Sequence, residues 1–384
     1  MKNRREKLMT EMKRTGLMYS EEFNWHNPCA GALVFPATAN KWLEQDDYYE
    51  CKDRLRPTYR LLVRSGLAAK LAPIAPRMAA EEELCLFHTP EYIETLKTLS
   101  EGIGGPAGVM TWMGHGSYDV IRLAVGGDLE ALDAVMRGDV KNAFCLQRPP
   151  AGHAVSDSAY GFCIVNAFNI MAEYARRKYG LSRILILDFD CHYKMGIQQA
   201  WYDSPDVLYA EVHQTGMQPI NCDTDVDVYH TGEGAGLGYN VAIPMTAGAG
   251  DKAYIKAFKD VIEPIADQYD PELVLVVAGY ASNIFDPLGR QQLTAEGYRA
   301  LTEIAMGIAE RHCGGRLVAV MEGGQGVYMP FCVLCTLEAL SGETTEVDDP
   351  IEAFIDPVHG NDVTVDQERR IAEAKRIQSA FWKL

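Results

Sequence analysis

From residue 117 onward the chain alternates between long amphipathic stretches and short, bounded runs of branched apolar residues. The runs Asn142–Leu146, Arg183–Leu187, Val207–Val212, Leu273–Ala278 and Leu317–Met321 are predominantly apolar rather than alternating, broken only by Asn142, Arg183 and Glu211, the pattern of strands buried on both faces. Stretches near 118–137, 164–178, 252–268 and 294–312 carry helical periodicity. Strand and helix in alternation specify an α/β fold, a mostly parallel central sheet between helix layers.

No repeat, low-complexity tract or Pro/Ser-rich linker interrupts this pattern, so one domain over 1–384 is expected, with 1–15 as an N-terminal extension. At the other end, 364–384 predicts a helix whose Ile371, Ala374, Ile377 and Phe381 share one face and pack on the domain. Segment 214–240, rich in Gly, Pro, Asn and Asp, predicts a long loop forming a pocket wall.

Several predicted strands run straight into polar or glycine-bearing turns: Gln147-Arg148-Pro149-Pro150, Asp188-Phe189-Asp190, Gly279-Tyr280 and Glu322-Gly323-Gly324. Ligand sites in open α/β sheets lie beyond the carboxyl ends of the strands, so these four turns are expected to converge on one pocket.

The charge balance narrows the partners. A formal net charge of -17 opposes binding to nucleic acid, which relies on Lys and Arg to neutralise phosphates. It suits a solubilising acidic surface and is compatible with a cationic ligand. The 10 cysteines are scattered, and Cys332 and Cys335 have a zinc-site interval without a second pair, so the thiols read as reduced and mostly buried. The basic start MKNRREKLMTEMKRTG has no apolar core and no stretch approaches a membrane span, which leads to the expectation of a cytoplasmic chain without a membrane partner.

The densest chemistry is Asp188-Phe189-Asp190-Cys191-His192 at a strand end. Such a string can give a divalent metal one carboxylate and one imidazole while the other carboxylate braces the turn. It equally suits a capped strand end with a surface histidine.

Together with Arg148-Pro149-Pro150-Ala151-Gly152-His153-Ala154, Gly161-Phe162-Cys163, Asp286-Pro287-Leu288-Gly289-Arg290 and Glu322-Gly323-Gly324, this block resembles the ordered signatures of the histone deacetylase and acetylpolyamine amidohydrolase family. His88-Thr89-Pro90-Glu91-Tyr92, Gly232-Glu233-Gly234-Ala235-Gly236 and Thr294-Ala295-Glu296-Gly297-Tyr298 resemble its bacterial class II-like branch. The resemblance spans roughly 16–345. It implies an arginase-like fold, a zinc ion held by two aspartates and a histidine, a histidine pair moving protons, an oxyanion tyrosine, a potassium-type monovalent cation, an acylated-amine or other small-molecule ligand, and association into a homo-oligomer.

Matched residue by residue, the resemblance retains Asp190 and His192 as metal-ligand positions and His153 as the second histidine of the pair. Ala281 stands where the third ligand is expected, Gly152 where the first histidine is, and Gln325 where the tyrosine is. Tyr193-Lys194-Met195-Gly196 replaces His-Gly-x-Gly, Glu211 replaces the serine of the monovalent-cation site that Asp188 would share, and Tyr19-Ser20-Glu21 lacks a histidine before the glutamate. Phe162, Tyr193, Lys194, Tyr280, Gly323 and Gly324 are expected around the pocket.

Two ligands are too few for a hydrolytic zinc, which takes three protein ligands and a water. Cys191, Asp188, Glu211 or Asn283 can be imagined as a substitute, but strand alternation points Cys191 away from the site. Lys194 can neutralise the clustered carboxylates in place of a metal, or lie exposed on its turn. The sequence therefore predicts a deacetylase-like chain without standard zinc-dependent deacetylation, a ligand-binding or regulatory pseudoenzyme or one with repurposed chemistry. Its alternatives are an active amidohydrolase with a substitute ligand and a structural subunit of an oligomer.

Overall fold

The computed structural model describes residues 14–29, 31–32, 35–36, 50, 54–216, 226–351 and 362–384. Eight parallel strands form the central sheet: β1 Gly16–Met18, β2 Ala72–Ile74, β3 Ala143–Cys145, β4 Ile184–Asp188, β5 Val207–Gln214, β6 Asn240–Met245, β7 Leu273–Ala278 and β8 Leu317–Met321. Their order across the sheet is β6-β5-β4-β7-β8-β3-β1-β2. The five strands read from apolar runs are all present, and every residue of β4, β5, β7 and β8 is buried. Each fully buried Val, Leu or Ile contributes about 1.5–3 kcal/mol, so helices must cover both faces.

Register fixes what the strand ends can meet. Asp188 lies level with Glu211 of β5 on one side and Val277 of β7 on the other, while Ala278 of β7 pairs with Met321 of β8. The turns leaving β4, β7, β8 and β3 thus emerge from four adjacent strands, as expected from the sequence.

Local differences have physical causes. The helix expected near 252–268 is divided into Asp251–Ala257, a π turn at Phe258–Ile262, and Glu263–Tyr269. Glu263 donates its N–H to the Phe258 carbonyl just before Pro264, which has no N–H to continue the regular ladder. In the C-terminal helix Val365–Gln378, Ile371 and Ala374 are buried, but Phe381 lies past the helix end and is 41% exposed. Strands β1 and β2 have three residues each, too short to give a periodic signal. Of the long loop expected at 214–240, Gln214 belongs to β5 and residues 217–225 lie outside the described residues, as does most of 1–15. Among the described residues no helix is long and apolar enough to cross a membrane.

Candidate functional site

Asp188 ends β4, and its carboxylate folds back on the turn: Oδ1 accepts from the Asp190 N–H at 2.8 Å and Oδ2 from the Tyr209 hydroxyl at 3.0 Å. Burial pushes the Asp188 carboxyl well above the usual range. This bracing aims Asp190 across the ends of β7 and β8. A Cβ on either Gly279 or Gly323 would lie 2.3 Å from Asp190 Oδ2, so only glycines at both positions let that carboxylate in. Asp190 Oδ1 accepts from the His192 N–H at 3.2 Å and lies 3.3 Å from His192 Nδ1.

Lys194 is completely enclosed. Its Nζ lies 2.9 Å from Asp190 Oδ2, 3.0 Å from Glu322 Oε2 and 2.9 Å from the His192 carbonyl oxygen. An ammonium has three N–H donors, and three acceptors surround this one. Burial alone would favour the neutral amine, but Asp190 and Glu322 outweigh it and raise the Lys194 pKa well above its ordinary value. Burial opposes the charge on Asp190 too, and Lys194 followed by His192 holds that carboxyl well below the usual range. The lysine is an internal counter-ion rather than a solvated turn residue.

Gly152 makes room for it. A Cβ at 152 would meet Lys194 Cδ at 3.1 Å and Cε at 3.2 Å. The Gly152 N–H faces Glu322 Oε1 and Cys163 Sγ, each at 3.3 Å, and the Cys163 thiol donates to Glu322 Oε1 at 2.9 Å. Asn166 holds the loop from behind, its side-chain amide donating to the carbonyls of Gly152 and Ala154 at 2.8 and 3.0 Å. His88 positions Asn166 in turn: Nε2 accepts the Asn166 N–H at 2.8 Å while Nδ1 faces the Ser156 carbonyl at 3.2 Å.

His153 is buried beside this loop, its ring centroid 6.4 Å from that of His192. Its Nδ1 has no hydrogen-bond partner among the described residues. Burial first, then the Lys194 charge, drive its pKa well below the ordinary histidine value, so the ring is neutral.

The other expected residues separate. Ala281 is buried and has no donor atom. Gln325 is held by its backbone N–H, which donates to Asp286 Oδ2 at 2.7 Å. Glu211 pairs with His213 Nδ1 at 2.9 Å, and burial raises its pKa. Phe162 is half-buried, with a left-handed φ of 72°. Gly324, also at positive φ, has its carbonyl capped by Arg54 Nε at 2.9 Å. Two residues expected around the pocket turn elsewhere. Tyr193 donates to Asn240 Oδ1 at 3.2 Å on β6, and the Tyr280 ring packs 4.9 Å from that of Tyr298, both wholly buried.

Cys191 also departs from expectation. Strand geometry stops at Asp188, so alternation does not govern residue 191, and Cys191 Sγ lies 3.3 Å from His192 Nδ1. Asp190, Cys191 and His192 offer donor atoms within 4.8 Å of one another. Burial holds the Cys191 thiol in its protonated form. The zinc set implied by the resemblance does not fit these residues: Ala281 gives no ligand, and the ammonium of Lys194 occupies Asp190 Oδ2. Glu322 and Cys163, which join Lys194 and Gly152 into one cluster, lie in the motifs Glu322-Gly323-Gly324 and Gly161-Phe162-Cys163, but nothing in the sequence marks them for that role. The same holds for the buried Arg148, which donates to both Glu50 carboxylate oxygens at 2.6 and 2.7 Å.

Comparison with known proteins bears on this arrangement. A family model described as "Histone deacetylase domain" matches residues 48–330. The chain is 36% identical over 365 residues to a histone deacetylase-like amidohydrolase of Pseudomonas aeruginosa, covering 94% of this chain and 95% of the relative. It is 32% identical to a probable deacetylase of Archaeoglobus fulgidus, over 91% of this chain and 98% of that one. It is 33% identical to the human polyamine deacetylase HDAC10, over 92% of this chain but 53% of the longer protein. The solved HDA15 HD domain superposes with a TM-score of 0.82 at 28% identity, covering 97% of this chain and 96% of that domain.

Proposed function

This chain belongs to the histone deacetylase family, and from that premise we propose that it keeps the family's pocket as a ligand-binding site without zinc-dependent deacetylation. The observation that carries this reading is the Lys194 ammonium seated on Asp190 and Glu322; Ala281, at the position where the resemblance implies a third ligand, has no donor side chain. A hydrolytic metal must hold and ionise a water, and an ammonium does neither. His153 supports the same reading, because a general base is oriented through its second ring nitrogen and here Nδ1 has no partner among the described residues. The ligand in this proposal is a small molecule or acylated amine that is bound and released intact. Purified chain incubated with acetyl-lysine and acetylpolyamine probes is expected to bind without hydrolysing them. Chelator-sensitive hydrolysis at rates typical of enzymes, about 1 per second or faster, contradicts the proposal.

A second reading, an amidohydrolase with a substitute ligand, is favoured by one observation: the proximity of Cys191 Sγ to Asp190 and His192. It requires the thiol to ionise on metal binding, as ligating cysteines do. Under this reading Cys191→Ser removes both bound metal and activity; under the first there is no bound metal to remove.

A further inference from the structure

The departures at 152 and 194 are linked by space, and those at 194 and 281 by charge. The side chain of Lys194 fills the volume that a residue larger than glycine at 152 would need, with contacts of 3.1 and 3.2 Å to a Cβ there. Its Nζ lies 2.9–3.0 Å from three oxygens, those of Asp190, Glu322 and the His192 carbonyl. Charge closes as well. A divalent cation together with one ligating aspartate carries the same net charge as one ammonium, so exchanging that pair for Lys194 and Ala281 leaves Asp190 and Glu322 compensated to the same degree.

Resting on the reading above, we infer that Gly152, Lys194 and Ala281 form one coupled exchange in which a tethered ammonium replaces a divalent ion, leaving a latent metal position behind Lys194. That position reopens only when the lysine is removed and a carboxylate is returned at 281. The carboxylate alone cannot reopen it, because Lys194 still occupies Asp190 Oδ2. Lysine removal alone leaves two protein donors of the required three.

The test uses the full chain in four forms: unaltered, Ala281→Asp, Lys194→Gly, and Lys194→Gly with Ala281→Asp. Each is equilibrated with zinc, passed through a desalting column and assayed for metal by elemental analysis, with folding checked by circular dichroism. The double variant is expected to retain about one zinc per chain and the other three less than about a tenth of that. Full zinc retention by Ala281→Asp alone overturns the inference, and so does a folded double variant that takes none. If the double variant does not fold, Gly152→Ala, Lys194→Ala and their combination are compared by urea unfolding. The cost of Gly152→Ala is expected to shrink about tenfold in equilibrium constant once Lys194 is shortened, and additive effects overturn the coupling. Zinc in the unaltered chain would contradict the proposed function itself. Zinc gained by Ala281→Asp alone leaves that function standing and removes only this inference.

Discussion

Lys194 and Asp190 form a buried ion pair at 2.9 Å, with neither side chain reaching solvent. The pair closes the mouth of β4 onto β8 through Glu322, at 3.0 Å from the same ammonium. Removing one partner of such a pair leaves a buried charge without compensation, which costs about 3–5 kcal/mol. Lys194→Met, close in length but uncharged, is therefore expected to lose about that much in urea unfolding. A loss below about 1 kcal/mol, the range of an exposed pair, would show that Lys194 is solvated.

Gly152 tests the space rather than the charge. The neighbours that a Cβ at 152 would crowd are Lys194 Cδ and Cε, fixed at their far end by three acceptors. Gly152→Ala is expected to cost about 1–3 kcal/mol, the range for overpacking a filled interior, with Gly152→His costing more. Thermal and urea unfolding of the two variants give the comparison.

His88 sets a pH dependence remote from the carboxylate cluster. Burial depresses it from 6.5 to about 4, and its Nε2 is already used as an acceptor for the Asn166 N–H. The unfolded chain binds this proton more readily than the folded one, so the contribution is fully present above pH 6.5 and is lost as pH falls toward 4. Up to about 3 kcal/mol is at stake. His88→Gln, which keeps a donor and an acceptor but does not titrate, is expected to flatten stability over that interval. An unchanged slope would assign the acid loss to other groups, of which buried His26, lowered to about 3, has the same sign.

Arg148 offers a fourth test, away from the pocket floor. It forks onto Glu50, which also pairs with Arg54 at 3.4 Å, and Arg54 in turn caps the Gly324 carbonyl. Arg148→Lys loses the planar fork and leaves the buried Glu50 with fewer donors, at an expected cost of about 1–3 kcal/mol in unfolding.

The parallel sheet was legible because strands buried on both faces are written as uninterrupted apolar runs, and Leu273–Ala278 and Leu317–Met321 match the structure end to end. The site was legible as a place, since the turns after β3, β4, β7 and β8 meet. Side-chain directions within it were not. Strand alternation points Cys191 away from the site, but the chain has left the strand by then, and its sulfur turns onto His192. Tyr193 and Tyr280 follow motif residues yet turn to Asn240 and Tyr298, with both rings wholly buried. The sequence leaves Lys194 two roles, since the reach of a lysine depends on space across the site, here supplied by Gly152 and bounded by Glu322.

Whether the Lys194 ammonium compensates Asp190 in place of a metal is measured directly by metal content. Chain purified without chelator and equilibrated with zinc is expected to carry less than about a tenth of a zinc ion per chain, with no change in Asp190→Ala. About one zinc per chain, lost in both Asp190→Ala and His192→Ala and accompanied by acetyl-lysine hydrolysis, would contradict it.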